Sequence, residues 1–211
     1  MTDGPSMIAA DSGSRQVKRS GHLLRRAGRV LIMLAIAAAA PPAWAKDLVF
    51  LGLPFPSTVA GAQAGDAIDY ESRQPGLGYS VQYLRSGWKI DVYVYDLQQR
   101  VVPEDPQSDT IRNQLKAATE EIFLLQRMGT YRKVAHKGNF VIRDVDRRPR
   151  FACATFTLVR QGFGPSDSVL CLAGWRSKFV KFRLTTVRHA GSDAEARGFV
   201  AAWSDILWPS I

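Results

Sequence analysis

The sequence predicts an α+β protein in which an antiparallel sheet packs against a long central helix and a C-terminal helix. Three observations lead to this fold class. Strand-like segments follow one another through tight turns, an amphipathic helix separates two groups of strands, and a second amphipathic helix closes the chain. Strands joined by short turns run antiparallel, because parallel strands need long crossover connections. The pattern therefore excludes a doubly wound parallel sheet.

Residues 1–45 have the features of a secretory signal with an N-terminal extension. Arginines precede a short apolar run, Val30–Ala40, and the sequence AWA ends at Ala45. A positive flank, a short apolar stretch and small residues at the cleavage site are typical of a signal peptide. We therefore expect cleavage after Ala45 and a location in the periplasm or outside the cell. An uncleaved anchor is the alternative, and Arg25-Arg26 also suggests a twin-arginine signal, although the Phe-Leu that usually follows such a pair is missing.

Residues 46–211 have the length of one ordinary domain, and no second apolar segment in them approaches the length of a transmembrane helix. Their charge is uneven, since residues 46–125 carry 7 basic and 11 acidic residues whereas residues 126–211 carry 15 and 6. A basic half favours an anionic partner. Because an exported protein meets little nucleic acid, we expect an anionic envelope component or another protein as the partner, and no nucleic acid.

The segment GYSVQYLRSGWKIDVYVYDL predicts a first β-hairpin over residues 78–97. Ser86-Gly87 is a tight-turn pair between two alternating segments, and a two-residue turn pairs Tyr83 with Ile90. One face of this hairpin is then apolar and belongs to the core. The opposite face is polar and aromatic and is a candidate binding surface, although half-buried packing would also explain its tyrosines. This face carries Ser80, Gln82, Asp91, Tyr93 and Tyr95.

The central helix is predicted within residues 104–129. Asp105 or Ser108 can cap its N-terminus, and Gly129 ends it. Apolar residues recur at steps of three and four and form one stripe, which consists of Ile111, Leu115, Ala118, Ile122 and Leu125. The neighbouring Glu120 and Glu121 do not converge on one point, because adjacent helix residues point about 100° apart.

The only cysteines, Cys153 and Cys171, lie on the two arms of a second predicted hairpin, in RFACATFTLV and SVLCLAGW. Export favours a disulfide between them, and a register that places them directly opposite each other would allow it. A redox site would need a C-x-x-C motif. A zinc site would need His136 or His189 without any ligand spacing to support it, and no histidine is singled out as the partner of a catalytic cysteine.

Two short strands, YRKVAHKG and NFVIRDV, are predicted between the central helix and the second hairpin, and a basic turn, DRRPR, follows them. A further strand covers residues 177–189. Its alternation places Val180, Phe182 and Leu184 on one face. Lys181, Arg183 and Thr185 lie on the other face, and the two cations form a second candidate binding surface.

The C-terminal helix is predicted to begin with a capping box of Ser192 and Glu195 and to end before Pro209. Its expected buried face consists of Phe199, Val200, Trp203, Ile206 and Leu207.

The order of these elements, with a GWK strand before the central helix and an amphipathic helix at the C-terminus, resembles the Mog1/PsbP-type fold over roughly residues 75–208. The stretches DVYVYDL and CLAGWRSKFVKFR are also similar to a group of uncharacterised exported proteins of proteobacteria. Mog1/PsbP-type proteins are mostly non-enzymatic binding or assembly modules, so the resemblance implies a binding role.

The residues themselves give no catalytic motif: G-x-S-x-G, H-E-x-x-H, Walker and dinucleotide-binding patterns are all absent from the sequence. We therefore assign no catalytic, cofactor-binding or metal-binding residue and expect no cofactor. The expected function is that of an exported, non-enzymatic binding or assembly module of the cell envelope. The alternative is a small periplasmic enzyme that uses Asp91 with Tyr93 or Tyr95. A deep pocket with two or more titratable groups would favour the enzyme, and a shallow surface would favour binding.

Overall fold

The structure is a computed structural model that describes residues 47–209, so the predicted signal segment, residues 1–45, lies outside the described residues. Ten strands and two helices occupy this described range. They are β1 (Leu48–Phe50), β2 (Leu53–Phe55), β3 (Thr58–Val59), β4 (Ala62–Asp69), β5 (Tyr79–Arg85), β6 (Trp88–Tyr95), α1 (Asp109–Arg127), β7 (Lys133–Arg143), β8 (Pro149–Val159), β9 (Pro165–Trp175), β10 (Lys178–Val187) and α2 (Ser192–Leu207). Between residues 47 and 209, neither helix combines the length and apolarity needed to cross a membrane.

Eight of these strands form one sheet in the order β3-β4-β5-β6-β10-β9-β8-β7, and β1 pairs with β2 separately. Every neighbouring pair is antiparallel, which confirms the α+β class. The hairpins β5–β6 and β8–β9 have the predicted registers. The late strand β10 lies between them, paired with β6 on one side and β9 on the other. This placement joins the two hairpins into a continuous sheet.

The two helices pack on opposite faces of the sheet, which we call the α1 face and the α2 face. On the α2 face, Phe199, Val200 and Trp203 of α2 belong to one large apolar cluster with inward residues of β5, β6, β9 and β10. On the α1 face, Ala118 and Ile122 of α1 pack against β8 and β9. The main contacts of α1 are with β7, β8 and β9, so the helix covers one half of its face more fully than the other.

The disulfide is present between Cys153 and Cys171, whose Cα atoms are 4.1 Å apart. The two residues lie directly opposite each other on β8 and β9, as the predicted register requires. Both are fully buried within the apolar cluster of the α2 face. The bridge therefore links two neighbouring strands within the cluster that α2 covers.

Helix α1 begins as predicted. Ser108 is the N-cap, and its hydroxyl accepts a hydrogen bond from the Ile111 amide at 3.4 Å. The loop before α1 passes very close to β9 at Gly174, where a Cβ atom would lie 1.8 Å from the carbonyl oxygen of Pro103. Only glycine permits this approach, which fixes where the chain crosses the α1 face before the helix begins.

The predicted capping box of α2 is wrong. The N-cap is Gly191 in a left-handed conformation, without a side-chain cap. The Ser192 hydroxyl instead donates to Asp167 at 2.8 Å, and the Glu195 carboxylate accepts from the Trp88 indole at 3.1 Å. The side chains of Ser192 and Glu195 thus form hydrogen bonds with distant parts of the chain instead of with the first turn of the helix.

Two further details differ from the sequence predictions. The two short strands expected before the second hairpin form one strand, β7, because register shifts at His136/Gly138 and Ile142/Arg143 keep it paired with β8 throughout. Ile206 is only partly buried at the edge of the α2 cluster, whereas Trp203 is fully buried.

Candidate functional site

An open cleft with a volume of about 750 Å³ lies on the α1 face, beside α1. Strands β6 and β10 supply its polar floor through Asp91, Tyr93, Lys181 and Arg183. Helix α1 and strands β8 and β9 supply the other wall. The cleft lies beside the part of the sheet that α1 covers. The side chains of β6 and β10 that line it are therefore not covered by the helix and face open space.

The pairing of β10 with β6 brings the two predicted binding surfaces together. Lys181 lies opposite Tyr93 and Arg183 lies opposite Asp91. On the other side of β6, Gln82 lies opposite Asp91. The hairpin face and the cationic strand face, which the sequence presents as separate candidates, are therefore one continuous surface.

Ser80 and Tyr95 do not offer free surface, which corrects their assignment to the candidate binding face. Both are about 5% exposed. Tyr95 packs against Phe179 in a cluster that includes Ile111, and its hydroxyl accepts a hydrogen bond from Gln114 at 3.0 Å. The docking of α1 thus covers Tyr95. Gln82 is half-buried and lies beside the cleft without lining it.

Of the three guanidinium nitrogens of Arg183, one forms a hydrogen bond within residues 47–209 and two do not. Its Nε donates to the Ser168 hydroxyl at 2.9 Å, and Ser168 donates to the carbonyl oxygen of Leu184 at 2.9 Å. Within residues 47–209, the buried side-chain nitrogens and oxygens without a partner are Trp203 Nε1 and Ser204 Oγ. The terminal nitrogens of Arg183 are therefore accessible to solvent, and no carboxylate of the described chain forms a salt bridge with them.

Lys181 is largely buried beside Arg183, with 18% of its side chain exposed. Its Nζ lies 4.6 Å from the ring centre of Tyr93 and 3.9 Å from a carboxylate oxygen of Glu121, which is too long for a hydrogen bond. Burial lowers the pKa of Lys181, and the positive charge of Arg183 lowers it further, while Glu121 and Asp91 raise it. Burial also lowers the pKa of Arg183, which remains charged because arginine does not deprotonate in proteins.

The charges around the cleft do not balance. Lys89 and Arg160 line it together with the two buried cations, against the carboxylates of Asp91 and Glu121. The Asp91 carboxylate is already bound by Lys89 at 2.9 Å, and Glu121 is mostly exposed on α1. Burying a cation is costly unless an anion pairs with it closely. The cleft thus has more cations than carboxylates in its lining, and a negative group would offset this excess of positive charge.

The arrangement gives little support to catalysis by Asp91 with a tyrosine. No hydrogen bond joins Asp91 to Tyr93 or Tyr95 in the described residues, and Tyr95 is sealed under α1. Burial raises the pKa of Tyr93 well above its ordinary value, and the charge of Asp91 raises it further. The cleft does contain several titratable groups, as an enzyme would require. Its lining includes neither histidine nor cysteine, however.

A second charged cluster lies at the start of α2, away from the cleft floor. His189 hydrogen-bonds the carbonyl oxygen of Val187 at 3.0 Å and the Glu195 carboxylate at 3.0 Å. Glu195 also forms a salt bridge with Arg85. The hydrogen bond to Val187 raises the pKa of His189, as does the one to Glu195. This cluster ties α2 to the turn between β5 and β6.

No sequence pattern points to several residues of the site. Ser168 lies in a predicted turn, Tyr131 begins a predicted strand and Arg160 follows one, yet all three contribute to the cleft or support its floor. Glu121 is recognisable in the sequence only as an exposed helix residue. Its proximity to Lys181 depends on how α1 docks on the sheet.

No protein-family model matches the chain, and no curated protein matches it. Among solved structures, the chain is similar to the solution structure of cyanobacterial PsbP (CyanoP) from Synechocystis. The two share 14% identical residues with a TM-score of 0.43, over 72% of this chain and 83% of that chain. The expected resemblance to a PsbP-type protein is thus confirmed, and a similarity of this size carries no argument about what this chain binds or does.

Proposed function

We propose that the chain is an exported, non-enzymatic binding module of the cell envelope whose cleft binds an anionic group. The proposal combines the secretory signal predicted in residues 1–45 with the site on the α1 face. Its ligand would carry a phosphate or carboxylate that contacts Arg183 and Lys181.

The observation that carries the proposal is the state of Arg183. Its Nε is fixed by Ser168, so the planar guanidinium is oriented before any ligand arrives. The hydrogen bond that its side chain forms in residues 47–209 uses Nε alone, and the residue lines the cleft. A guanidinium in this state can bind a phosphate or carboxylate through two parallel hydrogen bonds, and a fixed orientation reduces the entropy lost on binding.

Lys181 adds a second positive charge two residues away on the same strand face. Because its side chain is largely buried, its charge is poorly screened by solvent, and an anion between the two cations would be attracted more strongly than on an open surface. An ordinary solvated basic patch has neither this burial nor the fixed guanidinium.

A titration with inorganic phosphate at constant ionic strength tests the proposal. The protein would be isotope-labelled and purified from the envelope fraction, and the Arg183 Nε–H resonance would be followed by NMR. We expect saturable shifts at Arg183, Lys181 and Tyr93. Arg183→Gln should weaken binding by about tenfold or more, because charge-assisted bidentate hydrogen bonds are lost, and Arg183→Lys should recover only part of the affinity.

Arg100→Gln is the matched control, since Arg100 is exposed and does not line the cleft. It removes the same charge and should leave phosphate binding unchanged. Equal affinities for the parent and Arg183→Gln, or shifts that do not saturate, would contradict the proposed function.

Export is tested separately by intact-mass measurement of the protein from the envelope fraction. The signal pattern predicts a chain that begins at Lys46. A full-length product confined to the cytosol would contradict export and leave the anion site to be judged by the titration alone.

A further inference from the structure

The cleft has two chemically different halves. Strands β6 and β10 contribute charged and hydroxyl groups, whereas α1 and strands β8 and β9 contribute the buried apolar residues Ile122, Leu158 and Leu170. The boundary between the two halves lies between β10 and β9, where Arg183 is directly opposite Leu170. A cationic floor and an apolar wall are therefore in contact along one line.

The volume of the cleft also exceeds what an anionic group would fill. About 750 Å³ lies within the range of roughly 300–1,000 Å³ that holds drug-sized ligands. An inorganic phosphate placed on Arg183 and Lys181 would leave the wall formed by α1 and β9 uncovered. The lining on this side includes the apolar residues Leu125, Phe163 and Leu170 as well as polar ones, so a ligand that filled the cleft would also contact apolar groups.

Two apolar side chains at the rim extend this wall into solvent. Phe163, in the turn between β8 and β9, is 67% exposed, and Val187, at the end of β10, is 64% exposed. Both line the cleft. Isolated exposed apolar residues are common on proteins, but two that line one cleft add exposed apolar surface that a hydrocarbon group can contact.

We infer that the ligand of this cleft is an amphipathic anion, with one phosphate or carboxylate head on Arg183 and Lys181 and an aliphatic chain along Ile122, Leu125 and Phe163. This inference rests on the proposed function, because the head group is the anion assigned there. The chain follows the apolar wall from the buried Leu170 toward the rim. The same chemistry occurs in free amphiphiles and in membrane lipids with an anionic head.

A series of alkyl phosphates tests the inference on the full exported protein. Methyl, butyl and octyl phosphate carry the same head with increasing chain length, and all would be used below their micelle-forming concentrations. Each fully buried CH₂ strengthens binding by about fourfold. Since the cleft is open on one side, we expect octyl phosphate to bind at least about tenfold more tightly than methyl phosphate.

The variants separate the head from the chain. Phe163→Ser should weaken octyl phosphate by about threefold and leave methyl phosphate unchanged, and Leu125→Ala provides a second variant, on α1, with the same expectation. Arg183→Gln should weaken both ligands equally. Val101→Ser, at a residue that is 70% exposed and outside the cleft, should alter neither.

A second arm replaces the free ligand with phosphatidylglycerol vesicles, and phosphatidylcholine vesicles serve as the neutral control. If octyl phosphate binds and the protein does not sediment with either type of vesicle, the ligand is a free amphiphile. Sedimentation with the anionic vesicles and not with the neutral ones, weakened in Phe163→Ser, identifies a membrane lipid. Methyl and octyl phosphate binding equally well, without any sedimentation, would overturn the inference and leave the proposed anion site intact. Failure of every phosphate to bind would overturn both.

Discussion

The two faces of the central sheet follow the same alternation of residues and differ in what covers them. On the α2 face, Phe182 and its neighbours are sealed by Trp203 and Phe199 in one apolar cluster. On the α1 face, the adjacent residues of the same strand, Lys181 and Arg183, are cations beside an open cleft. A single strand, β10, thus supplies the core with one set of side chains and the candidate site with the other.

Under the proposed function, this difference separates the residues that stabilise the fold from those that would bind a ligand. The disulfide and the largest buried side chains concentrate on the α2 face, so that face can maintain the fold without help from the cleft. The α1 face retains partly desolvated cations, of which Lys181 lies 3.9 Å from the nearest Glu121 oxygen and forms no hydrogen bond with it, and burying charges without close pairing is unfavourable for folding. We therefore expect substitutions on the α2 face to change stability most, and those in the cleft to change binding most.

The largest effect is expected for Trp203→Ala. Trp203 is fully buried and packs edge-to-face against Phe55, Tyr83 and Phe182. Removing it should lower the free energy of unfolding by about 3–5 kcal/mol, as measured by chemical denaturation. Leu125→Ala, in the partly buried wall of the cleft, should cost clearly less. Equal losses from the two substitutions would break the proposed division between the faces.

The disulfide should contribute the next largest effect. Replacing both Cys153 and Cys171 with Ala should lower the free energy of unfolding by about 3 kcal/mol, since the bridge closes a short loop in the unfolded chain. Thiol labelling of the denatured parent protein without reductant should detect no free cysteine. Complete labelling of both positions would contradict the bridge.

Lys181→Met is expected to act in the opposite direction. Methionine has a similar length and no charge, so it should raise the free energy of unfolding by about 1 kcal/mol while weakening phosphate binding. Glutamate is a poorer choice, because it would bury a carboxylate close to Asp91. Lys178→Met on the same strand is the control. Lys178 forms a 2.9 Å salt bridge with Asp96, and its loss should lower stability; if Lys181→Met also lowered stability, Lys181 would be a structural residue.

The smallest effect is the pH response of the cluster at the start of α2. Hydrogen bonds to Val187 and Glu195 raise the pKa of His189 above 6.5, so its stabilising contribution is complete below pH 6.5 and is lost as pH rises through the raised pKa. The melting temperature should fall slightly across this range. Glu195→Gln should reduce that fall, although Asp167 also favours the charged histidine. If the melting temperature of Glu195→Gln depends on pH as that of the parent does, the His189–Glu195 pair does not contribute to this response.

Local sequence patterns predict the turns, the hairpin registers and the start of α1 well, because the interactions that determine them join residues close together in the chain. The Ser86-Gly87 turn sets the register of β5–β6, the alternation around Cys153 and Cys171 sets that of β8–β9, and Ser108 caps α1. The two faces of β10 are also recognisable from alternation. These features depend on residues within a few positions of one another.

The site could not be predicted in the same way because it depends on distant parts of the chain. Nothing in the sequence indicates that β10 pairs with β6, and this pairing places Arg183 beside Asp91. The burial of Tyr95 follows from the docking of α1. The capping-box pattern at Ser192 fails for the same reason, since Asp167 is a tertiary partner that the local pattern does not include.

The most direct test of this account is the free energy of unfolding of the parent and of Lys181→Met, measured across a phosphate titration at constant ionic strength. A ligand that binds only the folded state raises its free energy of unfolding by an amount that grows with the logarithm of the ratio of ligand concentration to Kd. We predict that the variant is more stable without phosphate and that the parent becomes the more stable of the two as phosphate approaches saturation. If the free energies of unfolding of the two proteins rise in parallel with phosphate and do not cross, the claim that the cations of the α1 face bind an anionic ligand is contradicted.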